Sequence, residues 1–208
     1  MTGEELAQAF RERWEALGGR LFLAGDGAGA VRAAFREAVL WLAGGSASPG
    51  PQAPPALLWS EAELAPLGLE EELAGLGFRA VAWRLLPGEA EGEGAARLRR
   101  LAAEAPLGVT GAAWAAAETG TLALYSGEAT GRLVSLLPEA HLALLRRSRL
   151  VATLADGFRL LAGEAGRRGD LPSAVNLVSG PSRSADIEGE LTTGVHGPAR
   201  VAVVLGEW

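Results

Sequence analysis

The residues of this sequence best suited to chemistry are concentrated in one polar segment near its C-terminal end. Residues 179–200 read SGPSRSADIEGELTTGVHGPAR, which places Arg183, Asp186, Glu188 and His196 among serines, threonines and glycines. An arginine can hold a carboxylate or phosphate through two hydrogen bonds, and a histidine or carboxylate can transfer a proton. The segment therefore predicts a polar site that binds an anion or performs acid–base chemistry.

Local signals predict how this segment is positioned. Ala174–Val178 is typical of a buried strand, and the Gly-Pro pair at 180–181 favours a tight turn after it. Ser184 suits a helix N-cap with carboxylates in the following turn, so a short helix is predicted from Ser184 until Gly194. Val201–Leu205 predicts a last apolar strand.

The roles of the polar side chains in this segment stay open. Arg183, beside Gly180 and Ser182, follows a strand and a turn, where open α/β sheets form ligand crevices. It can bind an anion there, or it can make a fixed contact with Asp186 across the turn. A hydrolase triad of Ser182, His196 and Asp186 lacks the last glycine of the G-x-S-x-G elbow. His196 fits a site role or a turn-locking role equally well.

A second polar group lies in the middle of the chain. Glu118, Thr119 and Gly120 precede an apolar run, Thr121–Tyr125, that predicts a strand. An acid at such a turn can act as a general base, a nucleophile or a ligand-orienting group, but turn amides can also satisfy it structurally. Arg132 can clamp an anion, or it can form a salt bridge with Glu118.

One histidine and a short basic run complete the candidate residues. His141 precedes the apolar run Leu142–Leu145, and a histidine there can be a ligand-binding group or a hydrogen-bonded structural group. Arg146, Arg147 and Arg149 follow. In a chain that is acidic overall, such a run is typical of a solvated edge.

Composition excludes several classes of function. The 208 residues have a formal net charge of −6, which argues against nucleic acid or an anionic membrane as the main partner. All basic side chains apart from the histidines are arginine, which excludes Schiff-base chemistry and a P-loop lysine. Because cysteine is absent, the chain supplies no disulfide, no thiol nucleophile and no cysteine-ligated iron–sulfur cluster. With two histidines, a metal site is not expected.

The sequence also predicts a cytoplasmic location. Met1–Gly18 is charged and amphipathic and does not resemble a signal peptide. The most apolar region, Ala112–Tyr125, is too short for a membrane span and is interrupted by Glu118 and Gly120.

The remaining pattern predicts an α/β fold, with a mostly parallel sheet flanked by helices on both faces. One domain is expected over 1–208, with a flexible loop at 44–55, which reads GGSASPGPQAPP. A strand or turn leading into a helix is predicted over Leu150–Leu161, and a polar loop over Gly163–Leu171. Other predicted helices are Glu4–Leu17, Ala30–Leu42, Glu61–Leu73 and Ala95–Glu104, and other predicted strands are Arg20–Ala24, Ala56–Trp59 and Phe78–Leu85.

The polar segments also resemble a known family. The run SGPSRSADIEGELTTGVHGP is similar to the closing signature of the lactate-utilisation (LUD) domain family, of the LutC/YkgG type. Three earlier runs resemble the family's middle signature in the right order: GVTG at 108–111, AETGT at 117–121 and GRLVSLLPEAH at 131–141. Together they cover roughly the second half of the chain, 106–208.

This resemblance implies a fold, a function and a set of residues. The implied fold is that of the NagB/RpiA/CoA transferase-like superfamily. The implied function is that of an accessory subunit in a bacterial system that oxidises L-lactate to pyruvate. In such a system the partner proteins hold the iron–sulfur clusters, and this chain holds no cofactor. The counterparts of the family's shared motif residues are Glu118, Thr119, Gly120, Arg132, His141, Arg183, Asp186, Glu188, His196 and Gly197.

Two hypotheses follow. In the first, the chain is an accessory subunit for lactate oxidation that can bind a small anion but does not catalyse alone. In the second, it is a stand-alone enzyme resembling sugar-phosphate isomerases or CoA transferases. There Glu118 serves as base or nucleophile, with His196 as a further catalytic candidate, and Arg183 or Arg132 holds an anionic metabolite.

Overall fold

Six parallel strands form the central sheet in a computed structural model that describes residues 1–44, 53–185 and 191–208. Each neighbouring pair is parallel, which confirms the predicted mostly parallel α/β sheet. From one edge to the other the strands are β1 (Arg20–Asp26), β12 (Arg200–Glu207), β7 (Ala140–Arg146), β4 (Leu107–Gly111), β2 (Pro55–Trp59) and β3 (Arg79–Trp83).

A smaller four-stranded sheet packs beside the central one. Its order is β8 (Leu150–Val151), β5 (Trp114–Ala116), β6 (Thr121–Ser126) and β9 (Ala174–Val178). The pairs β5–β6 and β6–β9 are antiparallel, whereas β5–β8 is parallel. A separate hairpin joins β10 (Arg183–Ala185) to β11 (Leu191–Thr193).

The described parts of the chain contain six α-helices. They are α1 (Gly3–Ala16), α2 (Ala28–Leu42), α3 (Leu69–Gly75), α4 (Glu91–Glu104), α5 (Leu133–Leu136) and α6 (Leu154–Arg168). Thr2 begins α1 and Thr153 begins α6 with a capping box, in which the threonine side chain accepts from a backbone amide three residues later. Of the described helices, none is long and apolar enough to cross a membrane.

Alternating side chains of the central strands fill two cores. Leu144 and Val204 pack with α2 on one face, where Phe35 is fully buried. On the other face Ala143 and Val203 belong to a second core, together with α1 and the smaller sheet. This alternation is the period-two pattern of strands buried on both faces. Burying these apolar surfaces supplies the main driving force for the fold.

Three of the predicted elements are wrong in detail. The helix predicted from Ser184 is instead the hairpin β10–β11, in which Ser184 pairs with Thr192. The polar loop predicted over Gly163–Leu171 is mostly helix, since α6 continues to Arg168. The helix predicted over Glu61–Leu73 is a 3-10 turn followed by the short α3.

Two sets of predictions fall on residues outside the described ranges. Of the predicted loop at 44–55, residues 45–52 lie outside the described residues. Asp186 and Glu188 lie there as well, and with them the proposed contact between Arg183 and Asp186.

Candidate functional site

Two of the predicted turns pack against the C-terminal end of α1. Gly120 has φ +62°, and a Cβ atom on it would lie 2.8 Å from Trp14 N. Gly180 has φ +97°, and its Cβ would lie 2.8 Å from Leu17 O. Both positions therefore require glycine, for positive φ and for close approach to the helix. We call residues 118–121, 179–183 and 13–18 the signature junction.

Hydroxyl groups link the two turns of the signature junction. Thr121 Oγ1 and Ser179 Oγ lie 2.8 Å apart, one residue beyond the pairing of Leu122 with Val178 between β6 and β9. Thr119 Oγ1 is buried and has no hydrogen-bond partner among the described residues. The structure thus brings together the turns of the middle and closing signatures, although they are about sixty residues apart in sequence.

Glu118 makes a structural contact at the start of α6. Its Oε1 accepts from Leu154 N at 2.8 Å, and its own backbone N–H donates to Ala152 O at 3.0 Å. An acid at the first amides of a helix is stabilised by the unpaired N–H groups and the helix dipole. This geometry is the turn-amide alternative foreseen for Glu118. Of the described residues, no cation forms an ion pair with it, so the salt bridge with Arg132 is not formed.

Arg183 lies at the amino end of the central sheet. Its guanidinium donates to Leu17 O, just before β1 begins. The preceding Ser182 donates its backbone N–H to Pro198 O at 2.9 Å, just before β12. The predicted placement of Arg183 at the ligand crevice of an open sheet is therefore wrong, because such crevices form at the carboxyl ends of the strands. Its predicted binding of an anion stays a prediction.

Among the described residues, the Arg183 guanidinium makes no hydrogen bond to another predicted site residue. His196 is exposed, and Gly197 packs on Ser182, with 3.3 Å between its would-be Cβ and Ser182 Cβ. Arg132 is exposed at the start of α5. Within the described ranges its guanidinium has no ion-pair partner, so it stays available to an anion.

His141 belongs to the core of the central sheet. The residue is 1% exposed, and its Nε2 lies 2.9 Å from Thr110 Oγ1. Burial lowers the pKa of His141 to about 4, because desolvation penalises the imidazolium. A neutral imidazole in a single side-chain hydrogen bond is the structural alternative foreseen for this residue.

The carboxyl edge of the central sheet contains a cleft that sequence reasoning missed. It has a volume of about 500 Å³. It lies where β2, β4, β7 and β12 end, and α6 and residues 170–173 form its far wall. We call it the carboxyl-edge cleft. Its charged and aromatic lining residues are Trp59, Glu61, Glu63, Tyr125, Arg146, Arg149, Glu164, Asp170 and Trp208.

One wall of the cleft is a partly buried ion pair. Arg149 Nη1 donates to Glu164 Oε1, and Glu164 is 7% exposed. This hydrogen bond raises the pKa of Arg149 above its ordinary value. A second acid, Glu63, lies 4.0 Å from Arg149 Nη2. The solvated edge predicted for the basic run is therefore wrong for Arg149.

The opposite wall is built around Arg146 and the C-terminal tryptophan. Arg146 Cζ lies 4.5 Å from the ring centroid of Trp208, and its Nη1 donates to the Trp208 backbone carbonyl. Glu63 and Glu207 lie 3.7 and 3.5 Å from this guanidinium. Trp208 Nε1 donates to Glu63 O at 2.8 Å. These contacts fix the Arg146 plane by stacking and hydrogen bonding.

The balance of charges defines what the carboxyl-edge cleft can bind. Four carboxylates face two guanidinium groups, and each guanidinium is already in contact with an acid. The cleft therefore suits a polar ligand rich in hydrogen-bond donors. A small anion would have to replace an acid at Arg146, whose carboxylate contacts are long. No single stretch of sequence could reveal this site, because its lining comes from separate elements.

Comparison with known proteins identifies related chains. The family described as the LUD domain matches residues 8–205. "Lactate utilization protein C" of Halalkalibacterium halodurans is 44% identical over 117 residues, which are 56% of this chain and 50% of that protein. "Lactate utilization protein C 1" of Bacillus mycoides is 42% identical over 106 residues, covering 51% of this chain and 45% of that protein. The chain spans about half the length of these curated relatives.

A solved structure shares the fold. The crystal structure of a duf162 family protein from Deinococcus radiodurans superposes with a TM-score of 0.62 and 22% sequence identity. The superposition covers 99% of each chain. It supports the α/β architecture over the whole chain.

Proposed function

The chain belongs to the LUD domain family, and from this membership we propose that it is an accessory subunit of a system that oxidises L-lactate to pyruvate. The observation that supports this most directly is its similarity, at about 40% identity, to proteins named lactate utilization protein C. The match covers about half the length of those proteins.

The partners in this proposal are iron–sulfur proteins. Oxidation of lactate removes two electrons, which a chain without cysteine cannot pass to a cysteine-ligated cluster of its own. The electrons would then leave through clusters held by other subunits. If the tagged chain is purified from lactate-grown cells, the sample should contain iron and sulfide and should reduce a dye when lactate is added. That result would support this arrangement. Recovery of an isolated chain from lactate-grown cells under gentle lysis would count against it.

Growth on lactate tests the proposed role. Deleting the gene in a host without another lactate dehydrogenase should abolish growth on L-lactate as sole carbon source, while growth on glucose continues. The intact gene should restore growth. Normal growth of the deletion strain on lactate would overturn the proposal. If the wild-type gene restores growth but Arg183→Ala does not, the signature junction has a role in lactate oxidation. Arg99→Ala, at an exposed position on α4, is the control and should restore growth.

The proposal includes binding of a small carboxylate, for which the molecule offers two locations. One is Arg132 and Arg183 at the amino end, and the other is Arg146 in the carboxyl-edge cleft. A ligand that binds the native state raises Tm. We expect millimolar L-lactate or pyruvate to raise the Tm of the wild-type chain. Loss of this shift in Arg146→Ala would place the ligand in the cleft, and loss in Arg183→Ala would place it at the amino end. An unchanged Tm in all proteins would reject carboxylate binding.

A stand-alone enzyme is the second candidate, and the carboxyl-edge cleft favours it. Carboxylates and a tyrosine converge there at the edge where open α/β sheets place active sites. Glu118, proposed as base or nucleophile, lies instead at the amide of Leu154. Turnover of an anionic sugar phosphate or CoA ester by the purified chain, lost in Glu61→Gln or Glu118→Gln, would establish this candidate. Absence of turnover alongside failed growth of the deletion strain would favour the accessory role.

A further inference from the structure

The far edge of the central sheet, at β3, is open. Among the described strands β3 pairs with β2 alone, so its other side has no neighbouring strand. A groove of about 550 Å³ lies at this edge and is lined by residues of β3, by Glu70 at the start of α3 and by residues of α4. An unpaired edge strand is a template for a further strand unless the protein blocks it.

The backbone of β3 offers hydrogen-bonding groups to this groove. In a parallel pair, alternate residues of a strand bond to the neighbour. Arg79 N donates to Pro54 O at 2.9 Å, which turns Arg79 towards β2 and leaves Ala80 and Ala82 facing the groove. Arg84 N donates to the Ala82 carbonyl at 2.9 Å. Outside the sheet ladders, the described part of the chain shows no backbone hydrogen bond donated by the Ala80 or Ala82 N–H groups.

Arginine side chains give the groove a charge opposite to that of the whole molecule. Arg79, Arg84, Arg97 and Arg100 line it, against two glutamates, whereas the chain has a net charge of −6. Arg97 is occupied by Glu89, at 2.7 and 2.8 Å. This pairing lowers the pKa of Glu89 to about 2. Arg79, Arg84 and Arg100 are exposed, and none of them has an ion-pair partner among the described residues.

We propose that the β3 groove binds an extended, acidic segment of a partner protein, which adds a seventh strand to the central sheet. The N–H and carbonyl groups of Ala80 and the N–H group of Ala82 would supply the main-chain hydrogen bonds, as in other cases of strand addition. Arg79, Arg84 and Arg100 would select acidic side chains and speed association. A second copy of this chain fits poorly, because pairing β3 with β3 would bring the arginines of both copies together.

This surface goes beyond the proposed lactate role and does not depend on it. The groove lies along the β3 edge, and its lining shares no residue with the carboxyl-edge cleft. Growth on lactate and peptide binding can therefore fail separately. Failure of the deletion experiment would leave the acidic-segment proposal standing, and failure of peptide binding would leave the lactate proposal standing.

A synthetic peptide tests the proposal directly. The probe is a fluorescein-labelled peptide with blocked termini and the sequence Glu-Val-Glu-Val-Glu-Val-Glu, titrated with the full chain and followed by anisotropy. We expect saturable binding that weakens as salt is raised from 20 to 300 mM, because the arginines are exposed. A peptide with lysine in place of glutamate should bind at least tenfold more weakly. Hydrogen exchange at the Ala80 and Ala82 amides should slow when the acidic peptide is bound.

Two variants separate the charge from the backbone contribution. Arg84→Glu combined with Arg100→Glu should weaken binding of the acidic peptide at least tenfold. The matched control, Arg99→Glu, changes an exposed α4 residue outside the groove and should stay within twofold of wild type. Ala80→Pro removes the N–H that faces the groove, which an edge strand tolerates. It should weaken binding at least fivefold while the circular dichroism spectrum is kept.

Several results would overturn the proposal. They are equal binding of the acidic peptide to wild type and to the Arg84→Glu, Arg100→Glu variant, equal binding of the lysine peptide, or unchanged exchange at Ala80 and Ala82. Sedimentation of the free chain as a dimer whose Ala80 amide is already protected would assign the edge to a second copy instead.

Discussion

The signature junction and the carboxyl-edge cleft lie at opposite ends of the same sheet and differ in how they are built. At the junction, glycines let the turns of β5–β6 and β9–β10 approach the backbone of α1, at distances where a Cβ atom would overlap Trp14 or Leu17. In the cleft, charged side chains from separate elements contact one another, with the buried Glu164 holding Arg149. One end depends on close backbone packing, the other on paired charges.

This difference shows that a sequence signature can report packing of the backbone as well as binding of a ligand. The recognisable runs of the middle and closing signatures contain glycines that the junction requires for geometric reasons, so part of the signature reports packing. The cleft has the shape and position of a ligand site, yet its charged residues lie mostly outside those runs. The comparison predicts that substitutions at the junction damage the fold, whereas substitutions in the cleft change binding at a smaller cost in stability.

The largest expected effect is at Gly120. A valine there would have to adopt positive φ and would overlap the α1 backbone at Trp14 and Arg13. We expect Gly120→Val to lower the free energy of unfolding by about 4 kcal/mol, from the cost of a left-handed conformation and of overpacking. Urea denaturation of the full chain measures it. The control is Gly166→Ala in α6, where a Cβ meets nothing within 4 Å, and a gain of about 0.5–1 kcal/mol is expected.

A stability change below about 1 kcal/mol in Gly120→Val would contradict the packing role. The turn would then be able to move away from α1, and the comparison between the two ends would lose its main support.

The next effect is a pH dependence from His141. Its pKa is lowered from 6.5 to about 4 in the folded state, so the unfolded chain binds more protons between these values. The free energy of unfolding should therefore fall as pH decreases through this window, by about 3 kcal/mol in full. Comparing wild type with His141→Gln isolates the contribution, and His196→Gln is a control at an exposed position. Equal slopes for wild type and His141→Gln between pH 6.5 and 4 would show that the imidazole is not buried neutral.

Much of the fold could be predicted because strong local patterns agree with the tertiary structure. The apolar runs at Ala174–Val178 and Val201–Leu205 are strands β9 and β12, as expected. The predicted burial of the first run is wrong, because β9 is half-buried and Leu177 is exposed. Where local and tertiary preferences disagree, the prediction failed. Ser184 favours a helix N-cap in isolation, but it pairs with Thr192 across a hairpin. Strand β5 consists of tryptophan and alanines, which show no strand pattern, and it forms because β6 and β8 flank it.

The site was harder to predict than the fold, because its residues are close in space but far apart in sequence. The meeting of Thr121 with Ser179 depends on the register of β6 and β9, which sequence alone did not provide. The acidic composition predicts a solvated edge for Arg149, and the polar pattern predicts a loop at its partner Glu164. Once α6 continues past that residue, Glu164 is buried against Arg149.

The third-largest expected change in stability comes from replacing Arg149 in the carboxyl-edge cleft. Arg149→Met leaves the buried Glu164 carboxylate without its hydrogen-bonded partner. We expect a loss of about 2 kcal/mol, less than for a fully buried pair because the Arg149 side chain is 31% exposed. Adding Glu164→Gln should recover part of the loss, and this double-mutant cycle measures the coupling. Exposed Arg99→Met is the control. A loss as large as that of Gly120→Val would erase the contrast between the two ends.

The smallest effect, at Glu118, decides most about function. If its carboxylate serves only to accept from Leu154 N, then Glu118→Gln keeps an acceptor oxygen and should change stability by less than about 0.5 kcal/mol, whereas Glu118→Ala should cost about 1 kcal/mol. Growth on L-lactate should then be the same for wild type and Glu118→Gln. If Glu118→Gln is as stable as wild type but abolishes growth, the carboxylate itself performs chemistry. The signature junction would then be an active site as well as a packing contact, and a glutamate oxygen not bonded to Leu154 would have to reach the substrate.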